Sequence, residues 1–308
     1  MLAPVAYIVF NRPEATARSF AAIRSYRPKK LMIIADGARP GHPTDSETTA
    51  KVRSIVQDID WPCDVVTNFS ETNLGCRTRI ETGLDWVFEQ VESAIIIEDD
   101  CVPNDDFWPF CETLLEKYRD QDKVGGITGM NFQDGAHRGD AAYYFSKNLH
   151  VWGWATWRRV WKLHDKDMTF WPNWRRSKDW PQAAPDPAER LFWEEAFERV
   201  YRREINTWDY PLVATMRRKE LLIATPNKNL VANIGFGSDS THTRTQAEFA
   251  TFPLGPLTHP TAVIDNPAAD QYTFNHHYDG ISLRKKLTKR RLRLMKWRIR
   301  WMLGLKSK

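Results

Sequence analysis

The 308-residue chain is poor in cysteine: it has four, and no two of them form a Cys-x-x-Cys pair. That spacing is typical of zinc ribbons and thioredoxin-like redox motifs, so the sequence indicates neither. We expect Cys63, Cys76, Cys101 and Cys111 to be reduced, mostly structural thiols of a cytoplasmic protein. The sequence does not exclude disulfide bonds between them.

Long apolar runs are also missing. No run approaches the roughly 20 residues that a membrane-spanning helix needs. The opening apolar stretch, residues 5–10, is too short for a secretory signal and lacks a basic segment before it. It favours a first β-strand instead. We therefore expect a cytoplasmic protein with no segment that spans a membrane.

Acidic residues are absent from residues 283–308, which contain twelve Lys or Arg. The other residues carry 32 basic and 39 acidic side chains, a formal charge of −7 within a chain whose net charge is +5. A nucleic-acid partner is therefore not indicated, because the positive charge belongs to an appendage rather than to the body.

This appendage predicts a basic helix over residues 283–305. Basic helices that carry Trp bind anionic membrane surfaces, and we favour that partner for a protein peripheral to the membrane. A solvated helix, or one docked on the acidic body, is the alternative. Arg290 interrupts the predicted apolar face, which consists of Leu283, Leu287, Leu294, Trp297, Trp301 and Leu305.

Tryptophan, by contrast, is abundant. The chain has fourteen, and most lie between Trp152 and Trp208. Clusters of this kind form ordinary cores in many proteins and flat apolar floors for sugars or bases in others. The sequence leaves both interpretations open.

The first 130 residues alternate strand and helix patterns. Apolar runs predict strands at 5–10, 31–35, 63–67, 94–97 and 124–129. Apolar periodicity and start signals predict helices at 13–26, 44–56, 79–91 and 106–118. Thr44 and Glu47 resemble a capping box for the second helix. The repeated units predict an α/β fold with a Rossmann-like, mostly parallel sheet flanked by helices.

The second half of the chain is less regular and has no internal repeat. Helices are predicted near 157–162 and 188–202, and short strands at 221–224 and 230–233. Four prolines between 251 and 267 predict an extended connector.

Residues 95–100, Ile-Ile-Ile-Glu-Asp-Asp, are the most informative segment. The apolar half predicts a buried parallel strand. Glu98, Asp99 and Asp100 would then emerge at its carboxyl end, where open α/β sheets bind ligands. Adjacent carboxylates repel one another, and a divalent cation such as Mg²⁺ or Mn²⁺ would hold them together. A solvated turn after the strand is the alternative.

Other polar residues follow neighbouring strands. Asn11 and Arg12 come after the first predicted strand, and Asp36 ends the second. All would lie at the sheet edge that carries the acids. An Asp can accept a hydrogen bond from a base, and an Arg can pair with phosphate. Each residue alone is ordinary, but their joint placement predicts a site for a nucleotide diphosphate bridged by a metal.

These elements together resemble the GT-A-fold glycosyltransferases, most closely N-acetylglucosaminyltransferase I and its bacterial relatives, including proteins labelled hemolytic-protein-like. The resemblance covers about residues 4–243. It is carried, in order along the chain, by Asn11-Arg12-Pro13, Ile34-Ala35-Asp36-Gly37, the segment 95–100, Trp152-Gly153-Trp154 and Trp208-Asp209.

The resemblance implies an inverting transfer from a UDP-linked sugar such as UDP-GlcNAc, with Mn²⁺ or Mg²⁺ as cofactor. It implies that Asp100 contacts the metal, with Asp99 beside it near the ribose and metal. Asp36 would contact the uracil and Arg12 the nucleotide. Arg77 falls where the family has a basic residue that contacts the donor.

An inverting enzyme needs a base that takes the proton of the acceptor hydroxyl, and a carboxylate can serve. Asp209 is our candidate, although the family has Trp-Asp-Asp where this chain has Tyr210 after Asp209. Glu194 and Glu195 are rivals. Asp209 as a simple helix cap is the structural alternative.

Residues 235–243 resemble the family's mobile loop that orders over the bound donor. Gly237 would help the loop to close, which excludes water. His242 would reach the diphosphate or the metal, or serve a structural role only. Trp154, after Gly153, lies in the segment expected near the donor sugar or acceptor.

The resemblance also suggests an organisation for the chain. Residues 1–130 would bind the nucleotide sugar and 131–245 would form the acceptor side of the same domain. An extended connector over 246–282 would lead to the basic helix of 283–308.

The sequence thus predicts a cytoplasmic glycosyltransferase, peripheral at the membrane, that acts on a glycan or lipid-linked acceptor in bacterial surface polysaccharide synthesis. A sugar nucleotidyltransferase is one alternative, but the chain lacks a glycine-rich loop after the first strand. A non-catalytic membrane-associated protein with a degenerate transferase fold is the other.

Overall fold

A computed structural model describes residues 2–235 and 250–302. The strands in these ranges are β1 (Val5–Val9), β2 (Lys30–Ala35), β3 (Asp64–Phe69), β4 (Ser93–Glu98), β5 (Cys101–Pro103), β6 (Val124–Thr128), β7 (Tyr143–Ser146), β8 (Trp154–Trp157), β9 (Leu222–Pro226) and β10 (Val231–Asn233). The helices are α1 (Pro13–Tyr26), α2 (Asp45–Gln57), α3 (Cys76–Gln90), α4 (Phe107–Lys117), α5 (Arg158–Trp161), α6 (Trp171–Trp174), α7 (Asp179–Ala183), α8 (Pro187–Tyr201), α9 (Asp209–Arg218), α10 (Pro267–His277) and α11 (Gly280–Met302).

Eight strands form one sheet in the order β3-β2-β1-β4-β8-β6-β9-β7. β1 pairs in parallel with β2 and β4, β2 with β3, and β6 with β9. β8 and β7 run antiparallel to their neighbours. The predicted fold class, an α/β protein with a Rossmann-like, mostly parallel sheet flanked by helices, is confirmed.

The parallel half of the sheet forms because its strands are continuously apolar. All five residues of β1 are buried, as are the last five of β2. Helices cover the sheet with their apolar stripes: Phe20 and Ile23 of α1 and Leu84 and Val87 of α3 are at most 2% exposed. Strands buried in this way end together at one polar edge, where the candidate site lies.

The ends of two helices differ from the prediction. α2 begins one residue after Thr44, but the Thr44 side chain makes no capping hydrogen bond, so the predicted capping box is wrong. α3 begins at Cys76, three residues earlier than expected, because Gly75 turns the chain with a φ of 79° just before it. The earlier start moves the first turn of α3 to the edge of the sheet.

The sequence did not predict β8, although this strand lies in the middle of the sheet between β4 and β6. Its four residues, Trp-Ala-Thr-Trp, are all buried and show no alternation, so the pattern does not distinguish a strand from a core helix. The strands β5 and β7 and the helices α6, α7 and α9 are further elements that the sequence did not predict.

The Trp-rich segment is core rather than a floor for a ligand. Trp171 is fully buried, and its ring centroid lies 5.2 Å from that of Trp180 and 5.4 Å from that of Phe197. Trp174 and Trp193 are also buried. These edge-to-face and tilted contacts join the short helices of the second half to α8.

The carboxyl-terminal part contains more helix than expected. The described chain has no helix or strand from residue 250 to Asn266, where the Asn266 side chain accepts a hydrogen bond from Ala269 N and α10 begins at Pro267. The extended connector predicted over 246–282 therefore ends at Asn266. α11 follows, and none of the helices in the described ranges is long and apolar enough to cross a membrane.

Candidate active site

A cleft of about 460 Å³ opens at the carboxyl ends of β1, β2 and β4. The connection from β1 to α1, the end of β2, the first turn of α3 and the end of β4 each contribute to its wall. Its polar lining residues are Asn11, Arg12, Asp36, Arg39, Asn73, Cys76, Arg79, Glu98 and Asp99.

One arginine bridges two members of the acidic triplet. Arg12 Nη2 lies 2.5 Å from Asp99 Oδ1, and Arg12 Nη1 lies 3.0 Å from Asp100 Oδ2. The Asp99 side chain is 3% exposed and that of Asp100 15%, whereas Arg12 is 45% exposed. Of the two aspartates, Asp100 is therefore the more exposed.

Burial makes Asp99 and Glu98 harder to ionise. It raises the pKa of Asp99 to about 6 against the opposing pull of Arg12. Burial and the neighbouring Asp100 and Asp99 carboxylates raise the pKa of Glu98 well above its ordinary value, and Asp209 adds to the effect. A cation bound beside these carboxyl groups would lower their pKa values again, because it stabilises the charged form.

A small ribbon holds Asp100 in place. β5 follows Asp100 directly and pairs antiparallel with β10, and Ile234 N donates to the Asp100 carbonyl at 2.8 Å. A Cβ at Gly235 would overlap Asp100 Oδ2 and lie 3.0 Å from Arg12 Nη1. Only glycine leaves room for the carboxylate there. Gly237 and His242, which the sequence assigns to the donor, lie outside the described residues.

Asp36 organises the wall of the cleft. Its carboxylate accepts hydrogen bonds from Gly37 N, Asn73 Nδ2, Leu74 N and Gly75 N, at 2.9 to 3.2 Å. These bonds fix the chain that leads into α3. Asp36 lines the cleft as expected, and its contact with a base stays a prediction.

The first turn of α3 faces the cleft without a capping side chain. The free N–H groups of a helix start, together with the helix dipole, attract phosphate and other anions. Arg79 lies one turn further on, is 4% exposed, and donates to Asn68 O and Oδ1 at 2.5 and 2.8 Å. The sequence did not identify this turn, although Gly75 just before it is a possible signal.

Arg77 points away from the cleft. Its Nη2 donates to the Lys166 carbonyl at 2.6 Å, and its Nε to Glu81 Oε1 at 3.3 Å. It therefore ties α3 to the loop between α5 and α6, and its neighbours Cys76 and Arg79 line the cleft instead. Successive helix positions differ by about 100° in direction, so the first turn of α3 directs these neighbours differently.

Asp209 is the first residue of α9. Its carboxylate accepts hydrogen bonds from the Thr207 hydroxyl and from Tyr210 N, and burial raises its pKa. Desolvation and the nearby Glu98 and Asp209 carboxylates raise the pKa of Cys76 to about 11. Asp209 does not itself line the cleft, but it is near enough to Cys76 and Glu98, which do, to raise their pKa values.

The rival glutamates lie elsewhere. Glu194 is 41% exposed and its nearest basic partner is Arg175, 3.9 Å away. Glu195 is exposed on α8, and neither glutamate lines the cleft. Trp154 is fully buried and stacks on Trp208 at 5.9 Å, so its ring is not available at the cleft surface.

The acids suit a hard cation that is completed by substrate. No group of three or more His, Cys, Asp or Glu in the described ranges could hold an ion by itself. Mg²⁺ and similar ions, however, are commonly held by one or two carboxylates together with water and substrate phosphates. Asp100 and Asp99 supply such carboxylates, and the lack of a side chain at Gly235 avoids a clash with the Asp100 carboxylate. The residues therefore fit this type of metal site.

No family model and no curated protein matches the chain. Among solved structures, it is similar to the mannosyltransferase PcManGT from Pyrobaculum calidifontis, in complex with GDP-Man and Mn²⁺, at 10% identity over 71% of this chain and 70% of that one, with a TM-score of 0.36. Mouse xyloside xylosyltransferase 1 is 10% identical over 71% and 83%, with a TM-score of 0.35. HddC from Yersinia pseudotuberculosis is 10% identical over 50% and 77%, with a TM-score of 0.32. Likenesses of this extent identify neither a family nor an activity.

Proposed function

We propose that the protein is a metal-dependent, inverting glycosyltransferase that moves a sugar from a UDP-sugar such as UDP-GlcNAc to a glycan or glycolipid. One observation carries the proposal. The uncapped start of α3 and the Asp99 side chain line one cleft at the carboxyl ends of parallel strands, and Arg12, which also lines it, pairs with both Asp99 and the adjacent Asp100. This arrangement pairs a site for phosphate with a site for a cation.

Different residues of the cleft would bind different parts of the donor. The first turn of α3 would hold the diphosphate through its N–H groups, and the guanidinium of Arg12 would add positive charge. Asp36 would direct the chain at 73–75 against the base. Asp100 and Asp99 would hold Mn²⁺ or Mg²⁺. Such an ion neutralises the negative charge that develops on a departing diphosphate.

Asp209 would act as the base. Its raised pKa brings it closer to the range in which a carboxylate takes up a proton efficiently near neutral pH. Hydrogen bonds from the Thr207 hydroxyl and Tyr210 N orient its carboxylate. Asp209 would remove the proton of the acceptor hydroxyl as that oxygen bonds to the sugar.

The acceptor would belong to bacterial surface polysaccharide synthesis. Lipid-linked acceptors reside at membranes, and the basic residues of 283–305 would keep the enzyme at the anionic inner face of one. The protein would then be a cytoplasmic, peripheral membrane enzyme.

The test is the substitution Asp100→Ala. We expect the parent to bind UDP in the presence of Mn²⁺, measured by titration calorimetry, and the variant to lose the part of the affinity that depends on Mn²⁺. Asp105→Ala, an exposed acid five residues away, should bind as the parent does. Equal Mn²⁺-dependent affinity of the Asp100 variant and the parent would remove the metal assignment.

The products distinguish the proposed reaction from its nearest competitor. With a panel of UDP-, GDP- and CMP-sugars, a glycosyltransferase releases the nucleoside diphosphate. A nucleotidyltransferase instead exchanges pyrophosphate. Pyrophosphate formation from UTP and a sugar phosphate, without release of UDP from UDP-sugars, would overturn the proposal.

A further inference from the structure

The carboxyl-terminal helix α11 has a side that faces the body of the protein. Leu283, Arg284 and Leu287 are half-buried there. The Arg284 guanidinium binds Asp186, which caps α8, with Nε 3.1 Å from Oδ2. The same guanidinium lies over the ring of Phe274 on α10 at 5.3 Å. The start of the apolar face predicted for the membrane is therefore the side that docks on the body.

A second side of α11 is exposed and also carries apolar residues. Ile281, Leu292 and Met295 are 42%, 51% and 58% exposed. Their spacing of 11 and 3 residues brings them to one face of a helix with about 3.6 residues per turn. Lys285 and Lys289 are exposed between them. We name these five residues the outer face.

We propose that the outer face, rather than the side with Leu283 and Leu287, is the surface that lies on an anionic phospholipid bilayer. This inference rests on the membrane contact included in the proposed function and assigns it to specific residues. Leu283 and Leu287 lie on the side of the helix opposite Leu292, because helix positions advance by about 100° per residue. The exposed residues of the outer face remain accessible to a flat partner.

Charge identifies the partner. The chain from residue 283 onward has twelve basic residues and no acid, whereas the rest of the protein is acidic overall. The exposed lysines of the outer face can rest their alkyl stems along an apolar layer while their ammonium groups meet lipid phosphates. Exposed leucine and methionine among those lysines suit the boundary between headgroups and acyl chains.

The experiment compares matched double variants of the full chain. Sedimentation with vesicles of phosphatidylcholine, with and without phosphatidylglycerol, measures binding. We expect the parent to bind only the anionic vesicles. Leu292→Asp with Met295→Asp should weaken that binding about tenfold or more, because two apolar side chains can no longer be buried.

The control pair is Leu163→Asp with Tyr201→Asp, which changes the charge equally at two apolar residues that are also about 40% exposed. The control pair should lose less than about threefold, which is the share due to charge alone. An equal loss in both pairs would overturn the assignment of the face.

A third variant, Leu287→Asp, tests the docked side. We expect a lower melting temperature and little change in vesicle binding. Loss of binding in this variant at an unchanged melting temperature, with retention in the Leu292 and Met295 pair, would assign the membrane to the opposite face. A parent that binds transfer RNA but neither kind of vesicle would overturn the lipid partner itself.

UDP binding and vesicle binding distinguish failure of the proposed catalytic function from failure of the membrane assignment. UDP affinity with Mn²⁺, measured on the same variants, should not change with any outer-face substitution. If UDP fails to bind but the outer face still directs vesicle binding, then the donor site is wrong and the membrane face stands.

Discussion

Burial has different consequences in two regions of the molecule. At the carboxyl edge of β1, β2 and β4, burial confines Glu98 and Asp99 beside Asp100 with one arginine as their partner. In the region that follows β8, burial packs Trp171 and its aromatic neighbours into a core. Burial therefore acts on charged side chains in the first region and on apolar rings in the second.

Asp99 and Asp270 show the same contrast between the two regions, because they have similar pKa values in different surroundings. Burial raises the pKa of both Asp99 and Asp270 to about 6. Asp99 faces the Arg12 cation at the cleft, whereas Asp270 accepts hydrogen bonds from the neutral groups Ser146 Oγ, Lys147 N and Asn148 Nδ2. The same pKa thus accompanies a site for a ligand in one region and a packed interior in the other.

The largest effect is expected at Asp209, which joins the two regions. Asp209→Asn keeps the shape of the side chain but cannot take up a proton. Sugar transfer should fall by about 10²- to 10⁴-fold, the usual contribution of a general base. UDP affinity in the presence of Mn²⁺ should stay within a factor of about two of the parent. Normal turnover would leave Asp209 as only the first residue of α9.

Removal of a core ring should lower the free energy of unfolding by nearly as much as Asp209→Asn raises the activation free energy of transfer. Trp171→Ala opens a cavity and removes the bond from Nε1 to Glu198 Oε2 at 3.0 Å, so we expect the free energy of unfolding to fall by about 3–5 kcal/mol. Urea titration measures this loss. Phe252→Ala, at a ring that is 53% exposed, should change it by less than about 1 kcal/mol.

The same Trp171 variant also tests how independent the two regions are. UDP affinity of the folded fraction should match that of the parent. A large loss of affinity in the folded fraction would show that the aromatic core shapes the cleft directly, and the contrast between the two regions would fail.

The pH dependence of stability should report Asp270. Its pKa in the folded protein is about 6, above the ordinary value of about 3.9, so the folded state holds the proton more tightly. Stability therefore falls as the pH rises from about 4 to about 6. Asp270→Asn should remove roughly 2–3 kcal/mol of that fall, measured by urea titration across this window. Asp140→Asn, an exposed control, should leave the curve unchanged.

The smallest expected effect concerns the room beside Asp100. Gly235→Ala would push the Asp100 carboxylate and Arg12 aside, because the added Cβ overlaps Asp100 Oδ2. We expect UDP affinity with Mn²⁺ to fall about tenfold, equivalent to about 1.4 kcal/mol. UDP affinity without metal and the melting temperature should stay unchanged. A drop in melting temperature with intact affinity would mean that the glycine serves folding only.

The sequence predicted the parts of the fold that local pattern determines. β1, β2 and β4 were correct to within one residue at each end, because apolar residues give way to charged or polar ones where each strand ends. The central strand β8 was missed, because four buried residues rich in Trp carry no period. The joint location of Arg12, Asp36 and Asp99 at one edge also followed from strand order alone.

The features that the sequence did not predict depend on contacts between residues that are far apart in the sequence. The start of α3, and with it the exchange of Arg77 for Arg79 at the cleft, follows from hydrogen bonds between Asp36 and the chain at 73–75. The outward side of α11 follows from the pairing of Arg284 with Asp186, 98 residues earlier. Neither contact leaves a local pattern.

The ribbon of β5 and β10 has a consequence for synthesis on the ribosome. Asp100 is translated early, but the strand that pins its carbonyl and the glycine that borders its carboxylate come only at residues 231–235. A nascent chain shorter than this contains the acids but lacks the strand and the glycine that border Asp100. Premature termination would therefore yield fragments in which the candidate site is incomplete.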